Sequence, residues 1–472
     1  MKSLKILSVA VAASLGSACT TFVPDYQRPD APVPLTWAAA AQEAGAAGVA
    51  QVGLASDLTW RDYFSDVRLR ELIGLALEHN RDLRVAAFNI EKARAQYRVQ
   101  RADLVPGLDA SGGQTRQRQP ADLTRTGSAE VSGVYSADVG LNAYEIDFFG
   151  RVRALNEQAL ALYLGTEEAY RSVRNTLVAE VANAWLSVAA NRELLELAEN
   201  TYATRERSHD LTRQSFDAGV VSAVDLSQSE TSMARARVDA ARQRAQLALA
   251  ENALALLIGQ VVPVELLPGR LDEAVGAVFA IPADLPAEVL AERPDILAAE
   301  QQLRAANADI GAARAAFYPK ITLTATVGTA SASLDDLFGA GSGSWTFIPR
   351  LTVPIFDAGR LEANLEAVKA QREIALANYE QAIQTAFREV SDALAERATL
   401  AEQLAAQNAL LKAAQDTHRL ADARYRGGVD SYLTLLDAQR TLFGAEQEMI
   451  TTRLSDATNR VAMYKVLGGG WK

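Results

Sequence analysis

The chain contains the same sequence twice. Phe216-Asp217-Ala218-Gly219-Val220-Val221-Ser222 matches Tyr425-Arg426-Gly427-Gly428-Val429-Asp430-Ser431, an offset of 428 − 219 = 209 residues. The same offset pairs His209 with His418, Val181 with Val390, Tyr170 with Tyr379 and Gly150-Arg151 with Gly359-Arg360. Upstream the offset becomes 213, pairing Asp82 with Asp295, Arg101 with Arg314, Pro106 with Pro319 and Leu108 with Ile321. A period of this length is not a short solenoid repeat of ~20–50 residues. It predicts two homologous halves in one body, with internal pseudo-symmetry of the kind that pores and channels use. The boundaries follow: a leader over 1–18, an N-terminal segment over 19–68, repeat one over 69–268, a connector over 269–285 and repeat two over 286–472.

Within each half the pattern reads helix, strand, strand, long helix, turn, returning helix. Repeat one has a helix over Leu69 to Ala102, strands over Leu104 to Arg116 and Val131 to Phe148, and a helix from Arg151 to about Phe216. Repeat two has a helix over Pro286 to Phe317, strands over Tyr318–Val327 and Trp345–Phe356, and a helix from Arg360 to about Arg426. Each long helix would measure about 100 Å at 1.5 Å per residue. Ser222–Leu257 and Ser431–Leu467 are the returning helices. Alanine-rich composition with only 7% aromatic residues suits long helices. Leu376, Tyr379, Ile383, Phe387, Val390 and Leu394 step by threes and fours, one apolar stripe on a helix.

Strict alternation marks the strands. From Pro319 to Val327 every odd position is apolar and every even one polar. Val131, Tyr135, Val139 and Leu141 alternate with Ser132, Ser136, Asp138 and Asn142. Such strands build a sheet with one apolar and one polar face, in a soluble sandwich or in a membrane barrel. The 209 frame sets Leu141 against Arg350, so a one-residue slip is expected near Gly150 or Gly359. Four strands cannot close a barrel, and open edges are not tolerated in lipid. A membrane reading therefore requires more than one chain.

The formal charge of −11 argues against nucleic acid as a partner. The first residues read as an export signal: Lys2 and Lys5, then an apolar run from Ile6 to Leu15 too short to span a bilayer. Gly16-Ser17-Ala18-Cys19 resembles a bacterial lipoprotein cleavage site, with Gly16 where leucine is usual. Cys19 is the only cysteine, so no internal disulfide can form. It is the expected acylation site. Thr20 is not the aspartate that signals inner-membrane retention. No nucleophile motif, phosphate loop or metal-ligand spacing is present, so neither an enzyme nor a cofactor is expected. His79, His209 and His418 read as polar-face residues. Gly219 and Gly427-Gly428 end the long helices, and Ser222 and Ser431 stand as N-caps of the return. These five residues are the expected docking tips.

Several motifs together resemble a known family: Pro24-Asp25-Tyr26-Gln27-Arg28-Pro29, Asn80-Arg81-Asp82-Leu83, Glu145-Ile146-Asp147-Phe148-Phe149-Gly150-Arg151, Arg293-Pro294-Asp295-Ile296, Phe317-Tyr318-Pro319 and Gly428 through Arg440. From about residue 19 to 472 the chain is similar to the TolC-like outer-membrane efflux channels, in their lipoprotein (NodT-type) branch. The resemblance implies an α+β membrane protein: a homotrimer with a 12-stranded barrel in the outer-membrane lipid and an α-helical coiled-coil tunnel in the periplasm. It implies a periplasmic membrane-fusion adaptor and an inner-membrane resistance-nodulation-division transporter as partners, and drugs and other amphipathic toxins as cargo. Carried onto this chain, the periplasmic constriction falls on Leu433 and Asp437, with Tyr425, Arg426 and Arg440 beside it. Their repeat mates differ: Val224 for Leu433 and Gln228 for Asp437. Two other readings fit parts of the pattern, a polypeptide export channel of the same architecture and a periplasmic coiled-coil scaffold without a pore.

Overall fold

A computed structural model describes residues 21–34, 37, 59–125, 127–276 and 287–469. Cys19 lies outside the described residues. The helices are α1 (Trp60–Tyr63), α2 (Val67–His79), α3 (Arg81–Ala102), α4 (Arg151–Asp217), α5 (Ala223–Ile258), α6 (Leu271–Val275), α7 (Pro294–Ala315), α8 (Arg360–Arg426) and α9 (Tyr432–Val466). The strands are β1 (Asp109–Gln119), β2 (Glu130–Glu145), β3 (Lys320–Ser331) and β4 (Gly343–Thr352). The duplication reappears in the helix bounds. Adding 213 to the ends of α3 gives the ends of α7, and adding 209 to the ends of α4 gives those of α8.

Several expected elements shift: the helix expected over Pro286–Phe317 is split into a 3-10 turn, Ala287–Glu292, and α7, and the strand expected over Trp345–Phe356 ends at Thr352. The helix expected over Leu69–Ala102 is broken at Asn80, which is extended at φ −62°, ψ 134°. Asn80 is buried. Its Oδ1 accepts from the Leu83 N–H at 2.9 Å, and its Nδ2 donates to Leu257 O at 2.8 Å. The first bond is an N-cap, which starts a new helix. In repeat two Pro294 stands at the first position of α7, which its missing N–H and fixed φ favour. The first strand also begins later than expected, at Asp109. Asp103, Leu104 and Val105 instead form a turn that closes α3.

Contacts divide the chain into two compact units, and the boundary falls within both long helices. The first contains Asn89–Glu167 and Ala298–Glu380 together with the segment leading to Asp30. Its four strands form one antiparallel sheet in the order β1-β2-β3-β4. The register sorts the side chains by face. Ile321, Leu323, Ala325 and Val327 pair with Leu351, Pro349, Phe347 and Trp345 on one side and, from Leu323 on, with Tyr144, Leu141 and Val139 on the other. Thr322, Thr324 and Thr326 lie on the opposite face. The slip in the repeat frame is a bulge inside β2, earlier than Gly150. Asn142 and Ala143 together oppose Thr324, and Ala143 takes φ 52°. The Ala143 N–H donates to Thr324 Oγ1 at 3.1 Å. This extra residue is what sets Leu141 out of phase with Arg350.

The N-terminal segment is bound along this unit. Phe22 stacks on Tyr318 at 4.6 Å, and Asn307 Nδ2 donates to Pro24 O at 2.7 Å. Buried Glu300 gathers Arg28 at 2.9 Å and Arg304 at 2.8 Å. Gly311 is a glycine for a local reason: a Cβ there would clash with Val23.

The second unit contains Ala31–Phe88, Glu168–Leu297 and Gln381–Lys472. Trp185 is fully buried, with Nε1 donating to Leu266 O at 3.1 Å. Tyr63, Phe64 and Tyr464 form a ring cluster with centroids 4.8–5.5 Å apart. Arg293 is buried and ion-paired to Asp295 at 2.7 Å and Glu389 at 2.8 Å, which offsets its desolvation. The apolar stripe of α8 is realised here, with Ile383, Val390 and Leu394 buried and Trp37 stacked on Phe387 at 4.3 Å.

Candidate functional site

Two helix-turn-helix tips in the second unit share one backbone design. Gly219 (φ 76°) ends α4, with Gly219 N–H donating to Phe216 O and Val220 N–H to Ser215 O, both at 2.8 Å. Gly428 (φ 70°) ends α8, with its N–H donating to Tyr425 O and the Val429 N–H to Arg424 O, both at 3.0 Å. This is a Schellman ending, in which a left-handed residue satisfies the last carbonyls. Gly427 does not need positive φ. Its N–H still bonds to Ala423 O at 3.0 Å, one more helical turn.

The side chains at the two tips differ. Ser222 is the N-cap of α5 in a capping box: Asp225 N–H donates to Ser222 Oγ at 3.2 Å, and Ser222 N–H donates to Asp225 Oδ2 at 3.0 Å. Ser431 holds the N-cap position of α9 but makes no side-chain cap bond. Thr434 stands where Asp225 stands in repeat one; its hydroxyl lies 3.5 Å from Ser431 Oγ, and the reciprocal carboxylate is missing. The carboxylate of this tip is Asp430 instead, which takes a forked pair from Arg424 Nε and Nη2 at 2.7 and 2.9 Å. The Arg424 fork holds the Asp430 carboxyl below the usual carboxylate range.

The residues expected at the constriction fall in two groups. Leu433, Asp437 and Arg440 are all exposed, on one face of α9 at spacings of four and three. Tyr425 packs from α8 against Ala421, Leu435 and Ala438, with its ring 5.7 Å from that of Tyr432. Arg426 is exposed and pairs with Asp422 of its own helix at 3.0 Å. The structure therefore gathers a polar and apolar stripe on α9 and a packed tyrosine beneath it.

One residue here carries no sequence signal. Arg205 of α4 is 6% exposed, and its Nη1 has no hydrogen-bond partner. Burial pulls its guanidinium below the usual arginine range. Tyr432 is the titratable group that acts on it, and burial pushes the Tyr432 hydroxyl up. A mid-helix arginine whose repeat mate is Ala414 looks like any solvated cation in a helical pattern.

In the first unit the sheet presents an exposed apolar face. Val131, Val139, Val327, Trp345, Phe347 and Leu351 share its apolar face, and each is more than half exposed. The outer edges of β1 and β4 have no partner strand within the described residues.

A model of the family described as outer membrane efflux protein matches the chain over residues 72–260 and again over 285–469. The two matches follow the two repeats. The chain is 49% identical over 469 residues to the probable efflux pump outer membrane protein TtgC of Pseudomonas putida, spanning 99% of this chain and 96% of that one. It is 44% identical over 467 residues to outer membrane protein OprJ of Pseudomonas aeruginosa, with 99% and 96% covered. Among solved structures it is similar to the open state of the MtrE outer membrane channel of Neisseria gonorrhoeae, at 37% identity and a TM-score of 0.84 over 96% of this chain and 99% of that one. A membrane protein of Pseudomonas aeruginosa gives a TM-score of 0.87 at 43% identity, covering 96% and 98%.

Proposed function

The chain belongs to the outer membrane efflux protein family, and from that premise we propose how it works, as the passive exit duct of a tripartite efflux pump. It is the outer-membrane channel component of an efflux system. The relatives it matches are efflux pump outer membrane proteins and an outer membrane channel. The cargo is drugs and other amphipathic toxins, passed on from an inner-membrane transporter of the resistance-nodulation-division class through a periplasmic membrane-fusion adaptor.

The observation that carries the duct reading is the sheet with two unlike faces and two open edges. No helix among the described residues is long and apolar enough to cross a membrane; the sheet, with its exposed apolar row, is the element suited to lipid. Its apolar row faces lipid and its threonine row faces water. Open N–H and C=O groups at β1 and β4 cannot stand in hydrocarbon, because each unsatisfied group costs several kcal/mol. Three copies pairing edge to edge close a 12-stranded barrel. Arg116 and Arg118 of β1 lie on the lipid side toward the hairpin end, and Gln114, mid-strand, is level with Ser331 at the end of β3, where long side chains reach the headgroups.

Acylation of Cys19 adds a second anchor. The support is the segment beyond it: Phe22 is fixed on Tyr318, two residues before β3 begins. The lipid would enter the membrane beside the rim of the barrel.

At the periplasmic end, Leu433 and Asp437 form rings of three. A leucine ring closes a narrow bore by dewetting. Three carboxylates in one ring repel, so they lean on cations nearby, with Arg440 one turn further on the same face. Adaptor binding at the tips opens the gate only if the adaptor binds the splayed tips more tightly. The test is single-channel conductance of trimers in planar bilayers. Asp437→Ala and Leu433→Ala should each raise conductance and admit large antibiotics to the periplasm. Wild-type conductance in both variants would remove these residues from the gate.

A further inference from the structure

In the second unit an open groove of about 1030 Å³ runs between α5 and α9, with Thr201 and Arg205 of α4 reaching it. Its charges do not cancel. Arg205, Arg235, Arg242 and Arg440 line it against Asp239 and Asp437. Arg242 is within 3.6 Å of Asp239, which removes one pair. Three arginines then face one aspartate. Of the three, Arg205 is the unusual one. Among the described residues no carboxylate lies within ion-pair distance of it, and its Nη1 is buried without a partner. A desolvated cation with a free N–H is costly, and an anion arriving in the groove would remove that cost.

The rest of the lining mixes apolar and small side chains with polar ones, Gln228, Gln243 and Gln447 among them. Val224, Ala236, Leu436 and Phe443 give it an apolar wall. Gly444, the repeat mate of Arg235, also lines it, and nothing stands within 4 Å of where its Cβ would be. The mate of Arg205 is Ala414 and that of Arg242 is Thr451. These three cations therefore come from repeat one alone, and their mates in repeat two supply no second set.

We propose that this groove is a subsite for amphipathic organic anions on the pore wall beside the periplasmic gate, with the Arg205 guanidinium as its anion-binding group. It rests on the reading of Asp437 as a pore-lining residue. An apolar wall beside a buried, unsatisfied cation suits an aromatic or alicyclic body carrying one carboxylate or sulfonate. A fully hydrated small anion gains nothing from Val224 or Phe443, and a neutral solute gains nothing from Arg205. The groove is large enough for a molecule of drug size. Cargo of this class would pause here on its way out.

The probe is naphthalene-2-sulfonate, added to wild-type trimers conducting in planar bilayers, with its uncharged sulfonamide as control. The sulfonate should interrupt the current reversibly and the sulfonamide should not. Arg205→Met and Arg235→Gln should each weaken the block about tenfold, the loss expected for one charge-assisted hydrogen bond or close charge. Arg235 is exposed, so its variant reports even if Arg205→Met fails to assemble. Equal block by the sulfonamide, block unchanged in both variants, or no block of a conducting wild-type channel would each overturn the subsite. A wild-type trimer that conducts no current would overturn the channel reading instead.

Discussion

Arginine at two adjacent positions of β3 tests the barrel. The strand has 12 residues, which at ~3.4 Å each and a tilt of ~40° rise about 31 Å, more than the ~25 Å apolar band of such barrels. Ala325 and Thr326 are its middle residues and lie near the midplane. Ala325 pairs with Leu141 and Phe347, on the apolar face. Thr326 pairs with Gly140 and Thr346, on the other. Ala325→Arg then puts a charge into hydrocarbon at about 2–4 kcal/mol per chain, or roughly 6–12 kcal/mol if three chains add. Even the lower figure for one chain is more than tenfold in an assembly equilibrium. Thr326→Arg points to water, with no side chain on Gly140 to crowd it. Thr324 is a poorer probe, because its hydroxyl holds the bulge at Ala143. Trimer in outer-membrane fractions, read on unheated gels, should collapse for Ala325→Arg and persist for Thr326→Arg. Reversal potentials in a KCl gradient should then shift toward anions for Thr326→Arg. Wild-type trimer levels for Ala325→Arg would refute the lipid-facing assignment. Normal assembly of Thr326→Arg with an unchanged reversal potential would remove this strand from the pore.

Other outcomes follow from single sites. Cys19→Ser should abolish metabolic labelling with a fatty acid; persistent label would end the lipoprotein reading. Gly428→Val forces a β-branched residue to φ near 70°, at about 1–2 kcal/mol or more. It should weaken adaptor crosslinking while the trimer stays assembled, and unchanged crosslinking with unchanged drug resistance would count against a docking tip. Asn80→Ala removes both the cap of α3 and the bond to Leu257 O, and should lower stability by about 1–3 kcal/mol per chain. A denaturation midpoint equal to wild type would show that the helix break does not depend on this side chain.

Much of the fold was legible because the chain states it twice. A helix seen in one repeat constrains its mate, and that is why the ends of α4 predict the ends of α8. The strand faces were legible for β3, where threonine alternates with aliphatic residues. The first strand was not, because Asp109 to Gln119 holds mostly glycine, glutamine and arginine and has little periodicity. The bulge was misplaced because parity reveals that a slip exists and not where the chain absorbs it. The break at Asn80 was hidden because an asparagine in a helical pattern carries no mark of its partner at Leu257. Arg205 was missed for the same reason, since only burial distinguishes it from a surface arginine.

The places where the repeats disagree are where the proposed mechanism resides. A strict duplication would give three identical copies a six-fold ring of equivalent hairpins, and all six would have to open together. The chain departs from that at its tips. Repeat one closes its return helix with a reciprocal Ser222–Asp225 box. Repeat two leaves Ser431 without a cap bond and ties Arg424 to Asp430 across the turn. A capping box satisfies two orphan donors and holds the first turn of α5 firmly. The first turn of α9 lacks it, and Leu433 and Asp437 follow directly. The hairpin with the looser start therefore carries the residues assigned to the gate, while their mates Val224 and Gln228 follow the firmer one. On this reading three hairpins move and three hold. Giving repeat two the missing carboxylate, with Thr434→Asp, should then stiffen α9 and lower the open probability of the channel in bilayers. An unchanged open probability would separate the capping difference from gating.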